Sequence, residues 1–166
     1  MSMSEPPKSA PPPPAPPAVE DAAAWLNAAP EGWNKAMGLR FVHATADEVV
    51  AEIDIGPCHR QPYGIVHGGV HSGMVETVTS VGAALYAMRH GQSVVGLENH
   101  TSFLKAVREG TLRATARPVS RGQSTQVWDA AITTSDGVTV ATGRVRLFSL
   151  AEGAALAGQK LEVAPG

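Results

Sequence analysis

Two periodicities divide the chain. Val49, Ala51, Ile53 and Ile55 alternate with Val50, Glu52 and Asp54, the spacing of a strand with one face in a core. The pattern predicts strands over residues 38–46 and 48–55, with a hairpin turn around Asp47. Between Gly68 and His90 the period lengthens. Met74, Val78, Val81, Leu85 and Met88 follow one another at intervals of four, three, four and three, which puts them on one stripe of a helix, and Gly91 supplies a stop. Segments 94–104, 111–119, 125–134 and 138–148 are then rich in Val, Thr and aromatic residues, with Glu109-Gly110, Arg121-Gly122 and Asp136-Gly137 as the turns between them. Strand, strand, helix and four strands predict an α+β domain: an antiparallel sheet of about six strands wrapped around one long helix.

The ends read differently. Residues 6–17 are almost all proline and alanine, a composition that favours extended polyproline II and offers nothing to pack. Residues 1–19 are therefore set apart as a disordered arm, with a ligand for a proline-recognising domain as the other reading. Residues 20–150 form the domain, and 151–166 are a tail expected to be partly disordered. At the domain's start, Glu20 and Asp21 precede a short helical stretch over 22–26 that Pro30 ends, and a second turn is expected over 33–37.

Composition narrows the class. With 166 residues and 43% hydrophobic content, one domain can bury a core without metal or disulfide support. A net charge of -2 and a pI near 6.3 leave no positive field for a phosphate backbone, so nucleic acid is not an expected partner. Cys58 is the single cysteine, which excludes an intrachain disulfide, a cysteine-rich zinc site and a CxxC redox pair. No secretory signal pattern opens the chain, and no run is long enough to span a bilayer, so the expectation is a cytoplasmic protein without a membrane partner.

The candidate chemistry lies on the long helix. Opposite the apolar stripe, helical geometry collects Gly69, Gly73, Glu76, Ser80, Ala83 and Ala87, so a carboxylate and a hydroxyl stand one turn apart among residues that let a ligand or backbone come close. Glu76 is the one acidic residue between Ile55 and Gly91, and no basic residue lies between Arg60 and Arg89. A solvated face normally carries more charge than this. The plainer reading of Glu76, an exposed surface position, is weakened by Gly64-Ile-Val-His-Gly-Gly69 ahead of it. Those glycines fall at the helix entry, where backbone N–H groups lack partners and the dipole favours negative charge. The Gly68 N–H can then receive an oxyanion. His67 is either a base or, as the residue before a helix more often is, a hydrogen-bonding group that fixes the turn. His59, His71 and His90 are taken as incidental. His67 and His71 have the spacing of a zinc pair but no HExxH pattern, so no metal is assigned. GxSxG, P-loop and strand-linked GxGxxG motifs are absent.

Together, Gln61-Pro-Tyr-Gly-Ile-Val-His-Gly-Gly69, Glu76 and Asn99-His-Thr-Ser-Phe103 resemble hot-dog-fold acyl-CoA thioesterases of the phenylacetate-degradation type, and within them the branch of the Arthrobacter-type 4-hydroxybenzoyl-CoA thioesterase, over residues 38–148. The resemblance implies hydrolysis of an acyl-CoA thioester, aryl or medium-chain, at a site between two protomers. Glu76 would be nucleophile or general base, the Gly68 N–H would polarise the carbonyl and Gln61 would position the reacting group. Ser80 stands where a hydroxyl, often Thr, holds water, and His67 belongs to the same catalytic set. Gly69, Asn99, His100, Thr101 and Ser102, with Lys105, Gln123 and Ser124, are expected to contact substrate and coenzyme A. Lys105 replaces an Arg, which keeps the charge and loses bidentate geometry. No resident cofactor is implied, since coenzyme A is part of the substrate. The expected assembly is a homo-oligomer, a dimer of dimers. Two other readings are a non-catalytic acyl-CoA binding or sensor protein and an acyl-CoA hydratase, whose Asp and His pattern this helix does not supply.

Overall fold

In the computed structural model, which describes residues 21–151 and 153–160, two short helices, α1 (Ala23–Ala28) and α2 (Gly32–Ala36), lead into β1 (Arg40–Ala44) and β2 (Val49–Asp54). The proline-rich arm over 1–19 and Glu20 lie outside the described residues. Asp21 opens α1: its Oδ1 accepts from the N–H groups of Ala23 and Ala44, both at 2.9 Å, which ties the helix start to the end of β1. After a 3-10 turn over Pro57–His59 comes α3 (Gly68–Met88), then β3 (Ser93–Phe103), β4 (Thr111–Arg121), β5 (Thr125–Thr134) and β6 (Thr139–Leu150). Within the tail, β7 (Ala155–Leu156) and β8 (Gln159–Lys160) form a hairpin whose turn residues Ala157 and Gly158 both have positive φ.

The six large strands make one antiparallel sheet in the order β1-β2-β4-β5-β6-β3. This corrects the expectation that Glu109-Gly110 turns β3 directly into a neighbouring β4. The chain instead crosses the sheet between them. β4 pairs with β2 and β5, while β3 is carried to the far edge and pairs with β6. Gly110, at φ +91°, ends the crossover, and its carbonyl accepts from the Ile55 N–H at 2.9 Å. The helix lies across the sheet, so the strands before and after it belong to different halves, which later strands fill.

Met74, Val75 and Val78 of α3 are fully buried against Leu112, Ala114, Trp128, Ile132, Val145 and Leu147 of the sheet. The expected helical stripe holds through Met74 and Val78 and then drifts. Val81 and Leu85 are half-buried and Met88 is 38% exposed, while Gly82, Ala83 and Ala87 are buried instead. The volume there comes from the sheet. A Cβ at Gly82 would lie 2.5 Å from the Trp128 ring, and the Trp128 Nε1 donates to Gln126 Oε1 at 3.1 Å while Gln126 Nε2 donates to the Ala83 carbonyl at 3.2 Å. A wide ring on the sheet requires small residues on the helix. Gly73 is used in the same way by α2, since a Cβ there would meet Trp33 Cζ2. The approach expected at that position is made by the chain's own indole.

β3 carries one irregularity. Its pairing with β6 shifts between Gly96 and Glu98, leaving Leu97 as a bulge. Gly96, Asn99, Thr101 and Phe103 pair with Leu147, Val145, Gly143 and Ala141 and face the helix. Glu98, His100 and Ser102 pair with Arg146, Arg144 and Thr142 and face outward. The other edge of β3 has no strand partner among the described residues.

Candidate active site

Glu76 projects from α3 toward β3. Ser80, one turn further on, donates to Oε1 at 3.2 Å, and Asn99 Nδ2 donates to Oε2 at 2.8 Å. Both contacts are donors, which suits a carboxylate acting as acceptor. Gly96 makes room for it: a Cβ there would lie 2.8 Å from Oε1. Glu76 and Ser80 are therefore together, as the sequence indicated. The Asn99 contact was not foreseen, although an isolated glycine in a strand is a signal of a bulge or close approach.

The helix entry is a second cluster. His67 is the N-cap of α3: its Nδ1 accepts from the Gly69 N–H at 2.9 Å, and its own N–H donates to the His59 carbonyl at 2.8 Å. His67 thus fixes the turn, and the Gly69 N–H is already engaged. The Gly68 N–H has no partner among the described residues. The Phe103 ring rests on Gly68, where a Cβ would come within 2.9 Å of it. Gln61 belongs to the same end. Its backbone closes a turn through Gly64 N–H and Ile65 carbonyl contacts of 2.8 and 2.9 Å, and an Arg60–Val66 bridge holds the loop. His71, taken from the sequence as incidental, is 3% exposed, with its ring centroid 5.9 Å from that of Phe103 and no partner for its Nδ1 among the described residues. Burial lowers its pKa.

The remaining expected contacts do not form one group in the chain. Asn99 and Thr101 face Glu76, whereas His100 and Ser102 line a groove on the outer face of the sheet with Arg117, Asp129, Arg144 and Arg146. The motif at 99–102 is divided because successive strand residues point to opposite faces. The Lys105 N–H donates to the Val140 carbonyl at 3.2 Å, and the Ser124 carbonyl accepts from the Ser149 N–H at 2.9 Å. Val140 and Ser149 lie at the two ends of β6, about 30 Å apart. Lys105 is thus distant from Gln123 and Ser124. Gly68 and Glu76 are also separated, by eight helical residues or about 12 Å.

An antiparallel sheet of six strands around one long helix defines a hot-dog fold, and the candidate carboxylate and glycine N–H both lie on that helix. The family described as "Thioesterase superfamily" matches residues 63–141, from the loop before α3 into β6. The chain belongs to that superfamily and is a thioester hydrolase. Among individual relatives, Rv1847 of Mycobacterium tuberculosis is 38% identical over 116 residues, covering 69% of this chain and 83% of its own. Its solved structure superposes with a TM-score of 0.71 at 36% identity, over 72% of this chain and 96% of that one. The proofreading thioesterase EntH of Cronobacter turicensis is 30% identical, covering 66% of this chain and 79% of EntH. The 1,4-dihydroxy-2-naphthoyl-CoA hydrolase of Listeria monocytogenes is 32% identical, covering 61% and 82%. No helix among the described residues is long and apolar enough to cross a membrane.

Proposed function

We propose that the protein hydrolyses an acyl-CoA thioester, aryl or medium-chain, to the free acid and coenzyme A, with Glu76 as nucleophile or general base. The observation that carries this reading is the Glu76 carboxylate, held by two donors beside the edge of β3 that has no strand partner among the described residues. The Listeria relative's name supports an aryl-CoA substrate, as does the narrower resemblance to the 4-hydroxybenzoyl-CoA branch. The lone, exposed thiol of Cys58 suits a cytoplasmic setting.

One chain does not complete the site, because its own Gly68 N–H lies about 12 Å along the helix from Glu76. A second copy solves this. The midpoint between Gly68 and Glu76 is Ser72, and the Ser72 carbonyl accepts from Asn99 Nδ2 at 3.1 Å, near the middle of β3. Two β3 edges paired antiparallel about that point form a two-fold dimer. The partner's Gly68 then stands opposite Glu76, and the Lys105 end of one sheet lies beside the Gln123–Ser124 end of the other. The dimer is thus the smallest complete unit, and a dimer of dimers repeats it.

In the general-base route Glu76 takes a proton from water as the water oxygen adds to the thioester carbon. The partner's Gly68 N–H holds the oxyanion until the C–S bond breaks and the thiolate leaves. In the covalent route a Glu76 oxygen adds instead, the thiolate leaves from a mixed anhydride, and water then cleaves it. Neither route needs a strong acid for the leaving group, because thiols ionise readily.

Release of free thiol from aryl-, short-, medium- and long-chain acyl-CoAs tests the proposal. Wild type is expected to turn over some of them, and Glu76→Ala to lose at least about a hundredfold in kcat while remaining folded. Binding without thiol release, or undiminished turnover by Glu76→Ala, overturns the assignment.

A further inference from the structure

Asn99 reaches the helix because the bulge at Leu97 has turned it there. Its Nδ2 donates to two acceptors, the Ser72 carbonyl at 3.1 Å and Glu76 Oε2 at 2.8 Å, and its Oδ1 accepts from Thr101 Oγ1 at 2.7 Å. The orientation of the amide follows from these neighbours. A carbonyl and a carboxylate only accept, so the nitrogen must face them, while the hydroxyl satisfies the oxygen. The Ser72 carbonyl also receives the Glu76 N–H within the helix. Asn99 therefore ties the carboxylate of Glu76 to the backbone one turn before it, and Thr101 keeps the amide from turning.

This geometry gives Asn99 a different task from the substrate contact expected of it. An asparagine amide has two N–H donors, and here both are spent within the protein. We propose that Asn99, backed by Thr101, is a positioning residue that aims Glu76 at the thioester and acts on the substrate only through that carboxylate. The inference rests on the reading of Glu76 as the catalytic carboxylate. Gly96 completes the device from the other side: Oε1 lies against a residue with no side chain, so the carboxylate fits between Ser80 and β3 without being pushed toward solvent.

The experiment is steady-state hydrolysis of one acyl-CoA that wild type turns over, followed across pH, for Asn99→Ala, Asn99→Asp, Thr101→Val and Glu76→Gln, with melting temperature and oligomeric state measured for each. Asn99→Ala is expected to lower kcat about ten- to a hundredfold, as misplacement of a catalytic group does, with KM nearly unchanged. Asn99→Asp keeps the shape and sets a second carboxylate against Glu76. Two such groups hold a proton between them to higher pH, so the acid limb of the kcat profile moves upward. Thr101→Val gives a smaller kcat loss of the same kind and carries the test should Asn99→Ala not fold.

A raised KM with kcat and the acid limb unchanged would make Asn99 a coenzyme A ligand and overturn the inference. Wild-type kinetics in both the Asn99 and Thr101 variants would overturn it as well. Glu76→Gln separates the two levels. If it is inactive while the Asn99 and Thr101 variants are normal, only the positioning role fails; if it is fully active, the reading of Glu76 itself fails.

Discussion

His71 is buried in the core side of α3 with Nδ1 unpartnered among the described residues, and burial lowers its pKa below the ordinary histidine value. The folded chain favours the neutral ring, while the unfolded chain takes up a proton near pH 6.5. The contribution of this group to stability is whole above about pH 6.5 and is lost as pH falls below that value toward the lowered folded pKa. Urea unfolding at a series of pH values is expected to show a shallower loss between about pH 7 and 5 for His71→Leu than for wild type; parallel curves would remove His71 from the acid response. At this scale Glu76 was legible as a candidate because its surroundings in the sequence are so poor in charge. Its contact with Asn99 was not, because that contact depends on the face to which Asn99 points, and a bulge becomes visible only when the strand is paired.

Along α3 the helical period and the glycine stop announced the element, and the structure ends it at Met88 with Gly91 at φ +64°. Its buried face was legible only as far as Val78. Beyond that point Trp128 supplies the bulk, and a pattern counted on the helix alone does not register a ring contributed from β5. Gly82→Ala is therefore expected to destabilise the fold by about 1–3 kcal/mol through overpacking against Trp128, although alanine is intrinsically the better helix former by about 1 kcal/mol. Chemical denaturation measures the net effect, and a more stable variant would mean that the indole moves aside. Strand existence was likewise legible from composition and turns, whereas strand order was not. Local turn signals mark where β3 ends and β4 begins but carry no information on which neighbour each will find.

For the whole molecule, the α+β architecture followed from the order of elements, while the distances between the candidate residues, about 12 Å along the helix and about 30 Å along β6, followed only from the fold. The proposed sharing of the site between two chains predicts complementation. Mixing Glu76→Ala with Gln61→Ala, each inactive alone, is expected after subunit exchange to restore about a quarter of wild-type thiol release, since half the dimers are mixed and each holds one intact site. No recovery in mixed dimers verified by mass would place both residues in one chain's site. The bulge at Leu97 has a further consequence, for descent. Which residues of β3 meet the helix is decided by whether they are an odd or even number of steps beyond Leu97, so replacing one side chain leaves the others in place. A gained or lost residue between Leu97 and Phe103 would instead exchange inner for outer positions in the part of the strand beyond it. The constraint that the fold places on this stretch is therefore on its number of residues as well as on the side chains at Asn99 and Thr101.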